Sequence, residues 1–389
     1  MSPASISDHD MDHEETDSHN ENRVLIIATG GTMCMQPGPD GLQPSAGFLD
    51  NAMAPYPSFN DGKPKQKVTA FHLGKSTRLD SLRTPETANG HHVRYAVLEF
   101  DPLLDSSSIA ATEWALMATA VKENYNLYDG FVIIHGTDTM AYTASALSFM
   151  IAQLGKPVIL TGSQAPIFKL QSDAPSNLLG SIILATYPIP EVGLFFNNKL
   201  YRGNRSTKVS ATSLEAFASP NMKPLAEVNG LGIEVNWEIV QRATSAKKVE
   251  VQKVLDLNHL LCIRVFPGIT LEKLIQGDEV RGLVLQTFGM GNIPGGPQGR
   301  LTQVLREAVQ NGVIVVNVSQ CSNGFASPVY AAGAPLAHFG VIFGHDMSTE
   351  AALTKLAYLL GVPGLTHQQR VEKFSHSLRG EMTEHPRSR

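Results

Sequence analysis

Short apolar runs alternate with longer segments of mixed polarity along most of this chain. Four of these runs are continuous: residues 24–27, 131–134, 157–160 and 192–196. Continuous apolar runs are typical of strands that are buried on both faces of a parallel sheet. Helices are predicted between them, at about 140–154 and 174–187. The alternation of strand and helix predicts right-handed crossovers and an α/β fold.

Polar stretches divide this pattern into parts. We expect a larger N-terminal parallel-sheet domain with helices on both faces at 23–220, and a smaller C-terminal α/β domain at 258–389. The polar residues 221–257 are interpreted as a linker and residues 55–95 as a surface insertion. Residues 1–22 are rich in Asp, Glu, His and Ser and have no apolar core of a signal peptide, so they are interpreted as a disordered acidic leader.

Composition narrows the class of protein. A chain of 389 residues with 42% hydrophobic residues is long enough for large globular cores. The net charge of −5 has no basic block behind it, which argues against a nucleic-acid partner. No apolar run reaches the ~18 residues of a membrane span. Cys34, Cys262 and Cys321 match neither a disulfide framework nor a zinc site, which favours a reducing, cytoplasmic location.

Two glycine-threonine turns follow two of the apolar runs. Residues 28–32 read ATGGT and residues 135–139 read HGTDT. If both runs are neighbouring parallel strands, both turns lie at the sheet edge where α/β proteins bind ligands. Glycine lets a substrate approach the backbone, and threonine offers a nucleophilic oxygen. The local pattern leaves a catalytic threonine and a structural or phosphate-binding turn equally open, although neither turn has a complete nucleotide-binding fingerprint.

The turns belong to a series of longer matches. The chain resembles the type I, cytosolic L-asparaginases of the asparaginase/glutaminase family. The matching segments follow the family's order and are residues 28–32, 131–149, 155–164, 195–204 and 378–383. The resemblance covers nearly all of the chain from Arg23 to about Pro386. It implies hydrolysis of L-asparagine to L-aspartate and ammonia, with no metal or organic cofactor. It also implies a homodimer or homotetramer.

The resemblance assigns catalytic roles to residues of both turns. Thr32 matches the family's nucleophile, which forms a β-aspartyl ester with the substrate. Thr137, Asp138 and Lys208 match a set thought to pass protons near the scissile carbon, and Asp138 would also pair with the substrate's α-ammonium. Because an adjacent carboxylate favours charged lysine and desolvation favours neutral lysine, Lys208 as a base and Lys208 as an electrostatic or purely structural partner all stay open.

Substrate-binding roles fall mainly on a third loop. Asp105, Ser106 and Ser107 match the family's substrate-carboxylate loop, with Ser106 the best candidate to hydrogen-bond the α-carboxylate. A helix cap is the alternative for such a serine. Gly31 and the main-chain amides of Thr32 and Thr137 are the expected donors to the oxyanion and the carboxylate.

The chain departs from the family's bacterial pattern in the loop after the nucleophile. Bacterial members carry an activating tyrosine there, and the aligned position here is Leu42. Tyr330 is the candidate replacement, with a core tyrosine as the alternative. The loop at about 34–47 is interpreted as a closing lid, and Asn292 as a contribution from a neighbouring subunit.

Three other functions fit the sequence less well. A lysophospholipase-type ester hydrolase would normally carry a G-x-S-x-G elbow, and this sequence has none. A catalytically silent asparagine-binding regulator is disfavoured by Thr32, Thr137, Asp138 and Lys208 occurring together. A subunit that deamidates glutamyl-tRNA would need a basic RNA-binding face and an appended domain, neither of which is visible in the sequence.

Overall fold

The computed structural model describes residues 21–38, 41–243, 248–270, 279–328 and 334–384. The first elements in chain order are β1 (Glu21–Gly30), β2 (Met35–Gly38), β3 (Gly41–Pro44), β4 (Gln66–His72), β5 (Lys75–Arg83), β6 (His92–Leu104), α1 (Ala111–Asn124), β7 (Gly130–Ile134), α2 (Met140–Met150), β8 (Ile151–Ala152), β9 (Val158–Thr161) and α3 (Ala174–Leu184).

The middle of the chain is mostly strand. It contains β10 (Val192–Phe196), β11 (Lys199–Arg202), β12 (Thr207–Lys208), β13 (Phe217–Ala218), β14 (Ala226–Asn229), β15 (Gly232–Val235) and β16 (Glu250–Val251). The last elements are β17 (Leu260–Arg264), β18 (Gly282–Thr287), α4 (Arg300–Gln310), β19 (Ile314–Ser319), α5 (Ala334–His338), β20 (Ile342–Phe343), α6 (Thr349–Gly361) and α7 (His367–Phe374).

The large N-terminal sheet has ten strands in the order β15-β14-β11-β10-β9-β7-β1-β6-β5-β4. The five central strands, from β10 to β6, pair in parallel. The strands outside them are antiparallel. The prediction of an α/β fold is confirmed, and the sheet is mixed because antiparallel strands extend its parallel centre at both edges.

Both faces of this sheet are covered. Leu25 and Ile27 of β1 pack into a core cluster that includes Trp114 of α1 and residues of α2. Val24 and Ile26, which point the other way, pack with Leu178 of α3 in a second cluster. The continuous apolar sequence of β1 therefore reflects two buried faces, as predicted.

Two predicted boundaries differ from the structure. The predicted surface insertion at 55–95 contains β4 and β5, which form an edge hairpin of the large sheet. The predicted linker at 221–257 contains β14 and β15, which pair onto the opposite edge. Edge strands have a solvated face, so their polar side chains resemble loop sequence. The predicted leader contributes Glu21 and Asn22 to β1, and residues 1–20 lie outside the described residues.

The C-terminal unit is a smaller parallel sheet in the order β17-β18-β19-β20. Leu301 and Leu305 of α4 pack on one face, and Leu356 and Leu359 of α6 pack on the other. Helices α2 and α6 join the two units, where the hydroxyls of Ser145 and Thr354 lie 2.7 Å apart. Within the described residues, no helix is both long and apolar enough for a membrane span.

Candidate active site

The two glycine-threonine turns touch each other. Strands β1 and β7 are neighbours, with Ala28 opposite Ile134. Gly31 has φ +86°, and a Cβ added to it would lie only 2.4 Å from the main-chain nitrogen of Gly136. Both the dihedral angle and the close approach require glycine at position 31. The prediction that the turns end side by side is confirmed by this packing.

The loop after β6 lies against the same two turns. A Cβ added to Gly136 would lie 2.5 Å from Ser106 Oγ, and Thr139 Oγ1 donates to the Ser106 carbonyl at 2.7 Å. Ser106 is buried, so the structure brings this predicted carboxylate ligand to the site.

Asp105 and Ser107, which flank Ser106, are exposed. Asp105 Oδ1 accepts from the Ser107 amide at 2.8 Å, and this hydrogen bond holds the pKa of the Asp105 carboxyl below its usual value. The capping role considered for a serine of this loop is filled by Asp105.

Thr137, Asp138 and Lys208 form one hydrogen-bonded group. Lys208 Nζ donates to Thr137 Oγ1 at 2.9 Å and to Asp138 Oδ1 at 2.7 Å. Thr137 Oγ1 in turn donates to Gln164 Oε1 at 3.3 Å. The Thr137 proton therefore points toward Gln164 and away from Lys208. The Asp138 side chain is 67% exposed and that of Lys208 is 19% exposed, so the pair opens to solvent on the carboxylate side.

Thr32 is half-buried and begins a short 3₁₀ turn, Thr32–Cys34. Its hydroxyl makes no hydrogen bond within the described ranges. The main-chain amide of Thr137 also donates to no acceptor in that part of the chain. A hydroxyl and an amide without partners, in two turns that touch, leave one acceptor and one donor position for a bound molecule.

The predicted lid is a β-hairpin made of β2 and β3. Leu42 lies opposite Pro37 in this hairpin and is 44% exposed. The Glu99 carboxylate accepts from the amides of Gly47 and Phe48, at 3.0 and 2.6 Å. The far end of the predicted lid is thereby attached to β6.

Tyr330 and Asn292 are the predicted site residues of the C-terminal unit. Tyr330 lies outside the described residues. Asn292 is in the C-terminal unit, where its main chain bonds to Phe288 at 2.9 Å in both directions. In the described part of the chain, Asn292 shares no hydrogen bond with either threonine turn.

Sequence reasoning missed two residues that support the second turn. Gln164 follows β9, the neighbour of β7, so the rule that places ligands beyond parallel strands identifies it. His135 is fully buried, and burial lowers its pKa to about 4. Its ring nitrogens contact the Gly136 carbonyl at 2.7 Å and Thr143 Oγ1 at 2.9 Å.

The Thr143 hydroxyl accepts from Trp114 Nε1 at 2.8 Å. The Gly136 carbonyl can only accept, so His135 Nδ1 carries a proton and donates to it. Burial disfavours the charged ring, so Nε2 carries no proton and accepts from the Thr143 hydroxyl. His135 is therefore neutral and has a defined tautomer.

Family models match both units of the chain. The model described as "Asparaginase, N-terminal" matches residues 23–241, and the model described as "Glutaminase/Asparaginase C-terminal domain" matches residues 260–374. The chain belongs to the asparaginase/glutaminase family. Known members of this family include the relatives and the solved structure described next.

The similarity extends over nearly the whole chain. L-asparaginase 1 of Escherichia coli strain K12 is 40% identical over 364 residues, which are 92% of this chain and 98% of that protein. The crystal structure of L-asparaginase I from Vibrio cholerae has a TM-score of 0.77 and 41% identity, and the match covers 94% of this chain and 100% of that one. The resemblance to type I L-asparaginases is thus confirmed.

A longer relative has a different name. The human 60 kDa lysophospholipase is 43% identical over 366 residues, which are 93% of this chain. The chain spans 62% of the length of that protein.

Proposed function

We propose that this protein hydrolyses L-asparagine to L-aspartate and ammonia, with Thr32 as the nucleophile. The observation that carries the proposal is the contact between Gly31 and Gly136. That contact brings together the turn of Thr32, whose hydroxyl has no hydrogen-bond partner among the described residues, and the turn of Thr137, which accepts a hydrogen bond from Lys208. Membership of the asparaginase/glutaminase family supports the substrate class.

The reaction has two halves. Thr32 Oγ attacks the side-chain amide carbon of asparagine, its proton passes to the leaving nitrogen, and ammonia departs to leave a β-aspartyl ester. Water then attacks the ester carbon, and the Thr32 oxygen leaves with a proton to restore the hydroxyl. The main-chain amide of Thr137, which has no acceptor among the described residues, is a suitable donor for the negative charge on the substrate oxygen.

The two charged groups of asparagine, its α-carboxylate and its α-ammonium, are assigned to the neighbouring loops. Ser106 binds the α-carboxylate, and Asp138 binds the α-ammonium. Lys208 occupies Asp138 Oδ1, and the carboxylate is largely exposed, so its other oxygen is available to an ammonium. The two loops therefore offer partners for both charged groups of a free amino acid.

We assign Lys208 an electrostatic role. Its Nζ donates hydrogen bonds to both Asp138 Oδ1 and Thr137 Oγ1, and the contact with Asp138 is an ion pair at 2.7 Å. As a cation it orients Thr137 and stabilises negative charge near the nucleophile. Lys208 could act as a base on Thr137 only after the Thr137 hydroxyl proton had turned from Gln164 toward Lys208.

Two parts of the proposal rest on the resemblance alone. A homodimer or homotetramer is expected, with Asn292 reaching a neighbouring site. Tyr330 is the candidate to activate Thr32 in place of the missing lid tyrosine. Sedimentation equilibrium tests the assembly, and Tyr330→Phe tests the phenol through kcat.

The decisive experiment is ammonia release by purified wild type and Thr32→Ala. Activity on L-asparagine should disappear in Thr32→Ala while the far-ultraviolet circular dichroism spectrum stays the same. Thr119→Ala is the matched control, because Thr119 is also half-buried but lies on α1 and bonds only to the Ala115 carbonyl. L-glutamine is assayed in parallel, since one methylene changes discrimination by only ~1–3 kcal/mol. An inactive, folded wild type would reject the proposal.

Ester hydrolysis is the second candidate, because the human relative is named a lysophospholipase. An acyl-threonine mechanism also accepts esters. Release of fatty acid from lysophosphatidylcholine by wild type, lost in Thr32→Ala, would support it. Ammonia release without fatty-acid release would leave only the amide reaction.

A further inference from the structure

The C-terminal turn, residues 377–383, includes the last of the segments that resemble the family, and the proposed chemistry gives it no role. Its centre is Glu381, which is fully buried and pairs with Lys355 of α6 at 2.6 Å. Lys355 Nζ also donates to the carbonyls of Phe374 and His376, at 2.7 and 2.6 Å. The turn is thus attached to the C-terminal unit by a buried ion pair whose partners are also hydrogen-bonded.

Glu381 also determines the shape of this turn. Its carboxylate accepts from the amides of Leu378 at 2.9 Å and Arg379 at 2.7 Å, and from Ser377 Oγ at 3.3 Å. Burial alone would raise the Glu381 pKa, but Lys355 and these donors outweigh burial and lower it. With its amides turned inward to the carboxylate, the turn presents carbonyl oxygens outward.

Those carbonyls hold the loop that leads to Lys208. Asn204 Nδ2 donates to the Arg379 carbonyl at 3.0 Å, and Arg205 Nε donates to the Gly380 carbonyl at 2.9 Å. Both Asn204 and Arg205 are buried. Gly380 has φ +75°, and a Cβ there would lie 2.6 Å from the guanidinium of Arg202, so the contact surface is closely fitted.

A second set of contacts from the C-terminal unit continues toward Lys208. Arg205 pairs with Asp346 at 2.9 Å, and Asp346 accepts from Thr383 Oγ1 at 2.6 Å. Thr207, next to Lys208, donates to Glu350 Oε1 at 2.6 Å. Lys208 itself lies in β12, a strand of only two residues. Groups from the C-terminal unit therefore bond to the side chains of three residues just before Lys208, namely Asn204, Arg205 and Thr207.

We propose that Glu381 is a positioning residue for Lys208: by shaping the C-terminal turn that binds Asn204 and Arg205, it sets the reach of Lys208 Nζ to Thr137 and Asp138. This inference rests on the proposed function for the role of Lys208. The cost of burying two charges is seldom repaid by stability alone. Here the ion pair has a second effect, since it directs carbonyls at the lysine loop.

The test compares the paired substitution Lys355→Met/Glu381→Leu with wild type. Replacing both charges by apolar side chains avoids an unpaired buried charge and should leave the protein folded. The single substitution Glu381→Gln is measured beside it. Glu384→Gln is the matched control, because Glu384 accepts from the Ser377 amide in the same segment at 3.0 Å but is exposed.

In folded variants, kcat for L-asparagine should fall about 10- to 100-fold, as expected for a misplaced catalytic group, with a smaller change in KM. Glu384→Gln should match wild type. In a Lys208→Met background, the paired substitution should change kcat by less than about twofold, because residues that act through one another are not additive. Acetylation of Lys208 by acetic anhydride, measured by peptide mass spectrometry, should accelerate in the paired variant.

The outcomes separate the two proposals. The positioning role alone would be overturned if a folded paired variant had the kcat and the Lys208 acetylation rate of wild type. It would also be overturned if the losses in kcat multiplied in the Lys208→Met background. If wild type fails to hydrolyse asparagine, the proposed function fails. If wild type is active and Lys208→Met is fully active too, only the role assigned to Lys208 fails. The acetylation rate then decides by itself whether Glu381 positions Lys208.

Discussion

The two threonine turns lie in contact, but their hydroxyls are held in different ways. Thr137 Oγ1 accepts from Lys208 at 2.9 Å and donates to Gln164 at 3.3 Å. Thr32 Oγ1 has no hydrogen-bond partner in the described part of the chain. A hydroxyl with two partners has a fixed direction, whereas one without partners is free to turn toward a substrate. The second turn is a prearranged polar network, and the first carries the hydroxyl that we propose as the nucleophile.

The contact between the turns can be broken at Gly31. In Gly31→Ala the new Cβ would overlap the Gly136 backbone at 2.4 Å, and φ is +86°. We expect the free energy of unfolding to fall by about 3–5 kcal/mol from overpacking and backbone strain, with ammonia release lost. Urea unfolding and the ammonia assay measure the two effects.

Gly62→Ala is the control for backbone strain alone. Gly62 has φ +79°, and nothing lies within 4 Å of an added Cβ. It should lose stability through strain and retain activity. Equal losses of stability in the two variants would contradict the importance of the contact.

The contact at Gly31 also shows how much of the site could be predicted. The apolar runs before both turns identify β1 and β7, and the adjacency of these two strands places the turns together. The hydrogen bond from Thr137 to Gln164 depends on β9 being the next strand of the sheet. Strand order is decided by tertiary packing and is not contained in the local pattern of either turn.

The errors in the fold have a related cause. Strands β4 and β5 carry Lys67 opposite Asp80, with their charges 2.9 Å apart. Such polar residues suit a solvated edge of a sheet as well as a loop. Buried strands can be distinguished from loops in the sequence because the strands are apolar. At both edges of the large sheet the strands are polar, so this difference disappears.

Acid should weaken the second turn more than the first, because only the second contains a buried histidine. The folded pKa of His135 is about 4, below its usual 6.5, through burial. Below pH 6.5 the unfolded chain therefore binds a proton at His135, whereas the folded protein does not bind it until the pH falls to about 4. Stability is fully present above pH 6.5 and falls as the pH drops toward 4, by on the order of 3 kcal/mol.

Urea unfolding at several pH values measures this loss against His135→Asn, which cannot titrate there. Wild type should have the steeper decline between pH 6.5 and 4. His259→Asn is the control, since His259 is partly exposed and paired with Asp256 at 2.7 Å. Parallel pH profiles for wild type and His135→Asn would contradict the assignment.

A smaller loss is expected when the network itself is interrupted at Thr137. Thr137→Val keeps the shape of the side chain but leaves Gln164 Oε1 without its donor and removes one acceptor of Lys208. The free energy of unfolding should fall by about 1–2 kcal/mol. We expect kcat to fall strongly, because Lys208 Nζ loses one of its two hydrogen-bond acceptors. An unchanged unfolding midpoint in urea would show that water replaces these hydrogen bonds at no cost.

The smallest effect on stability is expected at Thr32. In Thr32→Val the lost hydroxyl has no described partner, so the free energy of unfolding should change by less than about 0.5 kcal/mol, although ammonia release disappears. The comparison with Thr137→Val in the same urea titration is the direct measure of how differently the two turns are built. A loss as large as that of Thr137→Val would mean that the Thr32 hydroxyl has a structural partner. Tyr330→Phe, alone and combined with Thr32→Val, would then test whether the Tyr330 phenol is that partner, because a shared hydrogen bond makes the two losses less than additive.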